Sequence, residues 1–167
     1  MLGSAERAEM DRLWTRKLQQ DASGLPQSLR HRNIEPPSAE FLHALAAAAR
    51  GTGGRLLSLE IEPLRQAEAR DTLARLGLGS FVDFVLADAA EVLPEQSPFA
   101  LALIDCEKDD YIRFFDMLPM RPGGIIVADN IISHSLGGYV AHVRSRPGVE
   151  SITLAIGKGL EVTRVSQ

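Results

Sequence analysis

Short apolar runs alternate with helical segments along most of the chain, and this alternation constrains the fold more than any other feature of the sequence. The apolar runs predict strands at Arg55–Ile61, Phe81–Leu86, Phe99–Ile104, Gly124–Ala128, Val149–Leu154 and Leu160–Val165. Helices are predicted at Ser38–Ala49, Pro63–Leu76, Ala89–Leu93, Tyr111–Leu118 and Leu136–Arg144. Strands that alternate with helices favour an α/β fold with a doubly wound, mostly parallel sheet. The tight connection at residues 155–159 predicts that the last two strands form a C-terminal antiparallel hairpin.

Two of these segments carry an expectation about burial. The run FALALI at Phe99–Ile104 is apolar throughout, which is typical of a parallel strand that is buried on both faces. The helix Pro63–Leu76 is expected to bury one face. The apolar residues assigned to that face are Leu64, Ala67, Leu73 and Leu76.

The chain divides at residues 36–37, where two prolines stand together. Residues 1–37 are predicted to form an N-terminal helical arm and linker, with a helix at Ala5–Asp21 and irregular chain at Ala22–Pro37. Residues 38–167 form the α/β domain. An amphipathic arm that carries Trp14 needs a surface to cover it, so it either contributes to a homodimer or folds back on its own domain.

Composition excludes several classes of protein. Of the 167 residues, 45% are hydrophobic and 24% are charged, which is typical of a globular chain. The net charge of −4 gives no broad attraction to nucleic acid or to an anionic membrane. The polar stretch Met1–Arg16 is unlike a signal peptide, and no apolar run approaches the ~20 residues of a spanning helix. We therefore expect a soluble, cytoplasmic protein.

Polar side chains follow each predicted parallel strand. These residues are Glu60, Asp88, Asp105, Asp129 and Asn130. Ligands of such sheets bind at the carboxyl ends of the strands, so a shared site is one interpretation. The alternative is that Asp and Asn simply suit strand ends and helix caps.

Each of these residues has a definite chemical use. Glu60 can accept both hydroxyls of a ribose, and Asp88 followed by the small Ala89 suits the amine of a flat base. The remaining three, Asp105, Asp129 and Asn130, are hard oxygen donors that can hold Mg²⁺ or Ca²⁺ together with water. Lys108, three residues after Asp105, is a candidate base, or else a surface lysine that interacts with a helix dipole.

Two other motifs are interpreted structurally. Cys106, the single cysteine, has only His134 as a candidate base and no third orienting group, so thiol catalysis is not favoured. The glycines at residues 51–54 precede a strand, whereas a phosphate-binding loop lies between a strand and a helix. They therefore indicate a turn, and a dinucleotide-binding oxidoreductase is disfavoured.

Four segments in order resemble one family. They are GGRLLSLEIEP (Gly53–Pro63), LADAAEVLP (Leu86–Pro94), LALIDCEKDDY (Leu101–Tyr111) and RPGGIIVADNII (Arg121–Ile132). Together they resemble the cation-dependent, caffeoyl-CoA-type O-methyltransferases, which are class I S-adenosylmethionine-dependent enzymes. The ending IGKGLEVTRV (Ile156–Val165) is similar to the final hairpin of that family, and the resemblance spans Arg32–Val165. It implies a Rossmann-like methyltransferase fold.

The resemblance implies a role for each matched residue on the cofactor side. S-adenosylmethionine would be bound by Glu60, Asp88, Ala89, Asp105 and Tyr111, with Glu60 on the ribose and the pair Asp88–Ala89 beside the adenine. The acceptor would be a small, catechol-like molecule that is methylated on a hydroxyl group.

The resemblance also implies a metal-assisted reaction. The divalent cation, Mg²⁺ or Ca²⁺, would be held by Asp105, Asp129 and Asn130. Lys108 would act as the base, so the catalytic residues would be Lys108, Asp105 and Asn130.

One departure from the family is large. Its first strand and its glycine motif, of the form E-I-G-T-x-x-G-Y-S, should lie before GGRLLSLE, but here residues 41–50 run directly into Gly51. Without that strand, the strand that ends at Glu60 either pairs directly with the strand that ends at Ile104 or leaves a gap that a partner fills. The alternative function is therefore a catalytically inactive interaction module with weak or no cofactor binding.

Overall fold

The computed structural model describes residues 3–25, 37, 38, 40 and 53–166, which form parts of two compact units, residues 1–87 and 88–167. The first unit contains α1 (Ser4–Ala22), β1 (Leu56–Glu60), α2 (Pro63–Arg75) and β2 (Val82–Leu86). The second unit contains α3 (Ala89–Val92), β3 (Phe99–Ile104), α4 (Tyr111–Met117), β4 (Met120–Ala128), α5 (Gly137–Arg144), β5 (Val149–Leu154) and β6 (Leu160–Val165). No described helix is long and apolar enough to cross a membrane.

Part of the predicted N-terminal region lies outside the described residues. The arm helix is present as α1, but residues 26–36 of the linker are not described. Of the predicted helix Ser38–Ala49, the structure describes only Ser38 and Glu40, and both are helical.

The first unit is a βαβ element with the arm packed along it. Strands β1 and β2 run parallel, from the pair Leu56–Val82 to the pair Glu60–Leu86. Two ion pairs show that helix α1 lies antiparallel to α2. Glu9 pairs with Arg75 at 2.6 Å near the end of α2, and the later residue Arg16 pairs with the earlier residue Glu68 at 2.8 Å. No residue of α1 is fully buried, and these two ion pairs join it to α2. The arm therefore folds back on its own unit.

The predicted buried face of α2 is wrong. Leu64 is 86% exposed, whereas Gln66 is the buried residue of the helix. Leu64 and Leu73 are nine residues apart, which is two and a half turns at 3.6 residues per turn, so they point in opposite directions. Leu73 and Leu76 are half-buried on the side that Gln66 shares, while Leu64 faces solvent.

The second unit has a four-stranded sheet in the order β3-β4-β6-β5. Strands β3 and β4 are parallel, and the hairpin of β5 and β6 adds two strands through antiparallel pairing of β6 with β4. The predicted terminal hairpin is thus confirmed. Helices α4 and α5 cover one face of this sheet, where Tyr111, Phe115, Tyr139 and Val143 form a core with Ile126.

Strand β3 is less buried than its sequence predicts. Leu103 is 43% exposed, although every residue of the strand is apolar. Within the described residues β3 is hydrogen-bonded only to β4, which makes it an edge strand, and β1 pairs only with β2.

Candidate functional site

The site of the second unit is built where β3 and β4 end. These strands are parallel neighbours and finish side by side at the pair Ile104–Ala128, so the residues that follow them lie together. The Asn130 amide donates a hydrogen bond to Oδ1 of Asp105 over 2.9 Å. The parallel register thus brings together two side chains that lie 25 residues apart in the chain.

Asp129 is the buried member of this group. Only 3% of its surface is exposed, and its Oδ1 accepts the backbone N–H of Asn130 at 2.7 Å. Burial raises the pKa of the Asp129 carboxyl, and the negative charge of Asp105 raises it further. Asn130 has φ +62°, a left-handed conformation that asparagine tolerates better than most residues. This sharp turn directs the Asn130 side chain toward Asp105.

Lys108 reaches the same group from the loop after β3. Its Nζ lies 3.7 Å from Oδ1 of Asp105 and donates to the Tyr111 hydroxyl over 2.6 Å. That hydroxyl donates in turn to the backbone carbonyl of Asp129 over 3.1 Å. Burial raises the pKa of the Tyr111 phenol, so the hydroxyl keeps its proton at neutral pH. Tyr111 is fully buried, and its predicted contact with a cofactor remains a prediction.

The C-terminal hairpin fixes the loop that follows Asn130. The N–H of Ile131 donates to the Gly159 carbonyl at 3.0 Å, and the N–H groups of Ile132 and Ser133 donate to the Lys158 carbonyl at 3.0 and 3.1 Å. Lys158 also brings a positive charge that favours ionised Asp129. Sequence reasoning assigned residues 155–159 only to a turn and missed this support. Gly157 and Gly159, two glycines close together in that turn, were the sequence feature that could have indicated a close approach of another part of the backbone.

A divalent cation fits this group chemically. Asp105 and Asp129 offer carboxylate oxygens, and Asn130 offers an amide oxygen once its amide is turned. The two carboxylates repel one another, so a positive charge between them would be favourable. No group of three His, Cys, Asp or Glu side chains suited to a metal occurs in the described ranges. Water would therefore complete the shell, which is usual for Mg²⁺.

Two other predicted binding residues, Glu60 and Asp88, accept hydrogen bonds from the backbone of residues that follow them. Oε1 of Glu60 accepts the N–H groups of Ile61 and Glu62, both at 2.9 Å, at the end of β1. Oδ1 of Asp88 accepts the N–H of Ala90 at 2.8 Å and so caps α3, whose first residue is Ala89. For Asp88 the capping interpretation is thus observed, and the cofactor roles of Glu60, Asp88 and Ala89 remain predictions.

Cys106 does not have the properties of a nucleophile. Burial raises the pKa of its thiol to about 12, so the thiolate is scarce at neutral pH. His134, the candidate base, has its Nδ1 2.8 Å from the hydroxyl of Ser133. The raised pKa of the thiol argues against Cys106 as a nucleophile.

This fold and site belong to a recognised class of protein. The family model described as O-methyltransferase matches residues 41–164, and the chain is a member of that family. The match covers most of the chain, including all of the site at the ends of β3 and β4. The resemblance read from the sequence motifs is therefore confirmed.

Part of the chain is similar to two curated catechol O-methyltransferases. The chain is 37% identical over 93 residues to a catechol O-methyltransferase of Niastella koreensis, covering 52% of this chain and 42% of that protein. It is 38% identical over 100 residues to a catechol O-methyltransferase of Mycobacterium tuberculosis, covering 56% of this chain and 44% of that protein. The chain thus spans less than half the length of these curated relatives.

A solved structure gives the same fold. The O-methyltransferase TomG from Streptomyces achromogenes, determined in complex with SAM, superposes with a TM-score of 0.75 at 20% identity. The superposition covers 100% of this chain and 92% of TomG. The Rossmann-like fold predicted from the sequence is thereby confirmed.

Proposed function

We propose that this protein is an S-adenosylmethionine-dependent O-methyltransferase that methylates a hydroxyl of a small, catechol-like acceptor with the help of a divalent cation. The observation that carries the proposal is the convergence of Asp105, Asn130 and Asp129 with Lys108 at adjoining strand ends. Membership of the O-methyltransferase family supports the reaction, and the names of the two curated relatives support the acceptor class.

Methyl transfer leaves the protein little covalent chemistry to perform. The C–S bond of the sulfonium breaks as the C–O bond forms, the thioether leaves with the electron pair, and the acceptor hydroxyl loses its proton. A divalent cation, Mg²⁺ or Ca²⁺, supplies positive charge that favours the ionised acceptor. Asp105, Asp129 and Asn130 are its proposed ligands. The remaining rate enhancement comes from orientation of the acceptor oxygen toward the methyl group.

Lys108 is the proposed acceptor of the hydroxyl proton. Its Nζ is directed by Tyr111 and by the Cys106 carbonyl, 3.4 Å away, and it lies 3.7 Å from Asp105. Once protonated, the ammonium faces three oxygen atoms, which stabilise its positive charge.

On the cofactor side we propose Glu60, Asp88, Ala89, Asp105 and Tyr111 as contacts of S-adenosylmethionine. Glu60 is the last residue of β1 and Asp88 lies two residues after β2, so both are at the carboxyl end of a strand, where ligands of parallel sheets bind. The inactive interaction module is the less favoured alternative, because Asp105 contacts both Asn130 and Lys108 at the ends of β3 and β4.

Calorimetric titration with S-adenosylmethionine, followed by mass spectrometry of catechol incubated with cofactor and Mg²⁺, tests the proposal. We expect binding heat, a methylated catechol product, and loss of product when EDTA replaces Mg²⁺. Asp105→Asn should abolish the product, while Asp109→Asn, a change at an exposed acid four residues later, should not. Absence of binding heat at millimolar cofactor would refute the enzyme and favour the inactive module.

A further inference from the structure

The hydroxyl of Tyr111 occupies an unusual place in this unit. The residue is 0% exposed, yet its hydroxyl contacts two members of the proposed site. It donates to the Asp129 carbonyl at 3.1 Å and accepts from Lys108 Nζ at 2.6 Å. One buried oxygen atom thus joins the loop after β3 to the end of β4.

The two hydrogen bonds fix one another's direction. A phenol has one proton, and here that proton is directed to the Asp129 carbonyl, so a lone pair remains for the Lys108 amine. Lys108 would otherwise be hard to hold, because a lysine side chain loses up to about 2 kcal/mol of rotamer freedom when it is fixed. The Tyr111 ring is itself held in place, because it packs edge-on against Tyr139 with ring centroids 5.6 Å apart. Its hydroxyl is therefore a fixed point to which the Lys108 amine can bond.

We infer that Tyr111 is a positioning residue, whose hydroxyl holds the Lys108 amine at the edge of the Asp105–Asn130 pair and ties that amine to the strand that carries Asp129. The inference rests on the proposed function, because it assigns Lys108 a task that needs a fixed position. It goes beyond the cofactor contact proposed for Tyr111, since it assigns a task inside the protein to the buried hydroxyl that bonds Lys108 and the Asp129 carbonyl.

The chain offers a matched control in Tyr139. This residue belongs to the same aromatic cluster and is 2% exposed, but its hydroxyl has no hydrogen-bond partner in the part of the chain that the structure describes. Tyr139→Phe therefore removes the same atom from the same cluster without removing a hydrogen bond. Tyr111→Phe removes both bonds and leaves the ring in place.

The kinetic test compares the wild-type protein with Tyr111→Phe and Tyr139→Phe, using catechol as the probe in the presence of S-adenosylmethionine and Mg²⁺. We expect kcat to fall at least tenfold in Tyr111→Phe, with KM for catechol changed by less than about threefold, because a misplaced base slows the chemical step rather than binding. Both constants should stay within about twofold of wild type in Tyr139→Phe. A kcat for Tyr111→Phe equal to that of Tyr139→Phe would overturn the inference.

A spectroscopic test does not depend on activity. The chain has three lysines, Lys17, Lys108 and Lys158, so the Nζ resonances of protein labelled with ¹⁵N-lysine can be assigned by single Lys→Arg changes. We expect the Lys108 ammonium protons to exchange with water at least tenfold faster in Tyr111→Phe than in wild type or Tyr139→Phe. An unchanged exchange rate at Lys108 would overturn the inference, whether or not the protein transfers methyl groups.

The two failures are distinguishable. The wild-type protein could give no methylated product and still show slow exchange of the Lys108 protons that depends on Tyr111. That result would refute the proposed function but support the contact between Tyr111 and Lys108. Should Tyr111→Phe not fold, Lys108→Met in protein labelled with ¹³Cζ-tyrosine gives the same information from the other partner. The Tyr111 resonance should then shift while that of Tyr139 stays, and an unmoved Tyr111 resonance would contradict the contact.

Discussion

Gly159 lies so close to Ile132 that a Cβ atom at residue 159 would come within 2.5 Å of Cγ1 and 2.8 Å of the backbone nitrogen of Ile132. Gly159 also has φ +92°, which side-chain-bearing residues rarely adopt. Ile132 stands two residues after Asn130. The close contact therefore joins the terminal hairpin to the loop that leaves the proposed cation site.

Gly159→Ala should destabilise the protein by about 3 kcal/mol, because left-handed strain of about 1–2 kcal/mol adds to overpacking of similar size. Gly123→Ala is the matched control, since its φ is +78° but no atom lies within 4 Å of the added Cβ. It should lose only the strain contribution, about 1 kcal/mol. Urea unfolding of both variants measures the difference, and equal losses would show that the contact with Ile132 is unimportant.

Mg²⁺ or Ca²⁺ should raise the melting temperature of the wild-type protein. A cation at a hundred times its Kd stabilises the folded state by about 2.7 kcal/mol. Asp105→Ala should lose this gain because one of the two carboxylates is gone, whereas Asp109→Ala should keep it. Differential scanning fluorimetry with and without each cation is the measurement. A wild-type melting curve that ignores both cations would show that the metal assignment is wrong.

Cys106 should react slowly with iodoacetamide at pH 8. Since burial raises the pKa of its thiol to about 12, the thiolate fraction in the folded protein is far below that of a free cysteine with pKa about 8.5. The alkylation rate should go on rising with pH beyond 10, and unfolding in urea should speed the reaction at pH 8. Rapid alkylation of the folded protein at pH 8 would contradict the assignment.

Acid should weaken the two ion pairs of Glu9, one with Arg12 within α1 and one with Arg75 of α2. Hydrogen bonds from Arg12 and then Arg75 lower the pKa of Glu9 from 4.5 to about 2. A lowered folded-state pKa means that this stabilisation is present above pH 4.5 and is lost as the pH falls toward 2. Glu9→Gln should remove this stabilisation at neutral pH. The free energy of unfolding should fall by about 1 kcal/mol, the value typical of a partly exposed ion pair.

The matched variant for that experiment is Asp11→Asn on the exposed side of the same helix. Its unfolding free energy at pH 7 should stay within about 0.5 kcal/mol of wild type, as is usual for surface substitutions. Adding about 0.5 M salt should reduce the difference in unfolding free energy between wild type and Glu9→Gln, because salt screens partly exposed charges. A difference that salt leaves unchanged would show that Glu9 acts through packing rather than charge.

The sequence by itself determined the strands, the helix order and the terminal hairpin. Short apolar runs such as Phe99–Ile104 and Leu160–Val165 indicate strands. The pattern of apolar residues is a local property, so it can be read without knowing the tertiary structure. The placement of Asp105, Asp129 and Asn130 near one another also followed from the sequence, since parallel strands end at the same edge of a sheet. The orientation of α2 did not, because Leu64 and Leu73 were assigned to one face although two and a half turns separate them.

Only the tertiary structure decided what each side chain contacts. The sequence resemblance assigns Tyr111 only a contact with the cofactor, and the bond from its hydroxyl to the Asp129 carbonyl depends on how α4 packs on the sheet. The approach of Gly159 to Ile132 likewise depends on β6 pairing with β4. Such contacts join residues 18 or more positions apart, and their geometry is set by register and packing, which local sequence preferences do not encode.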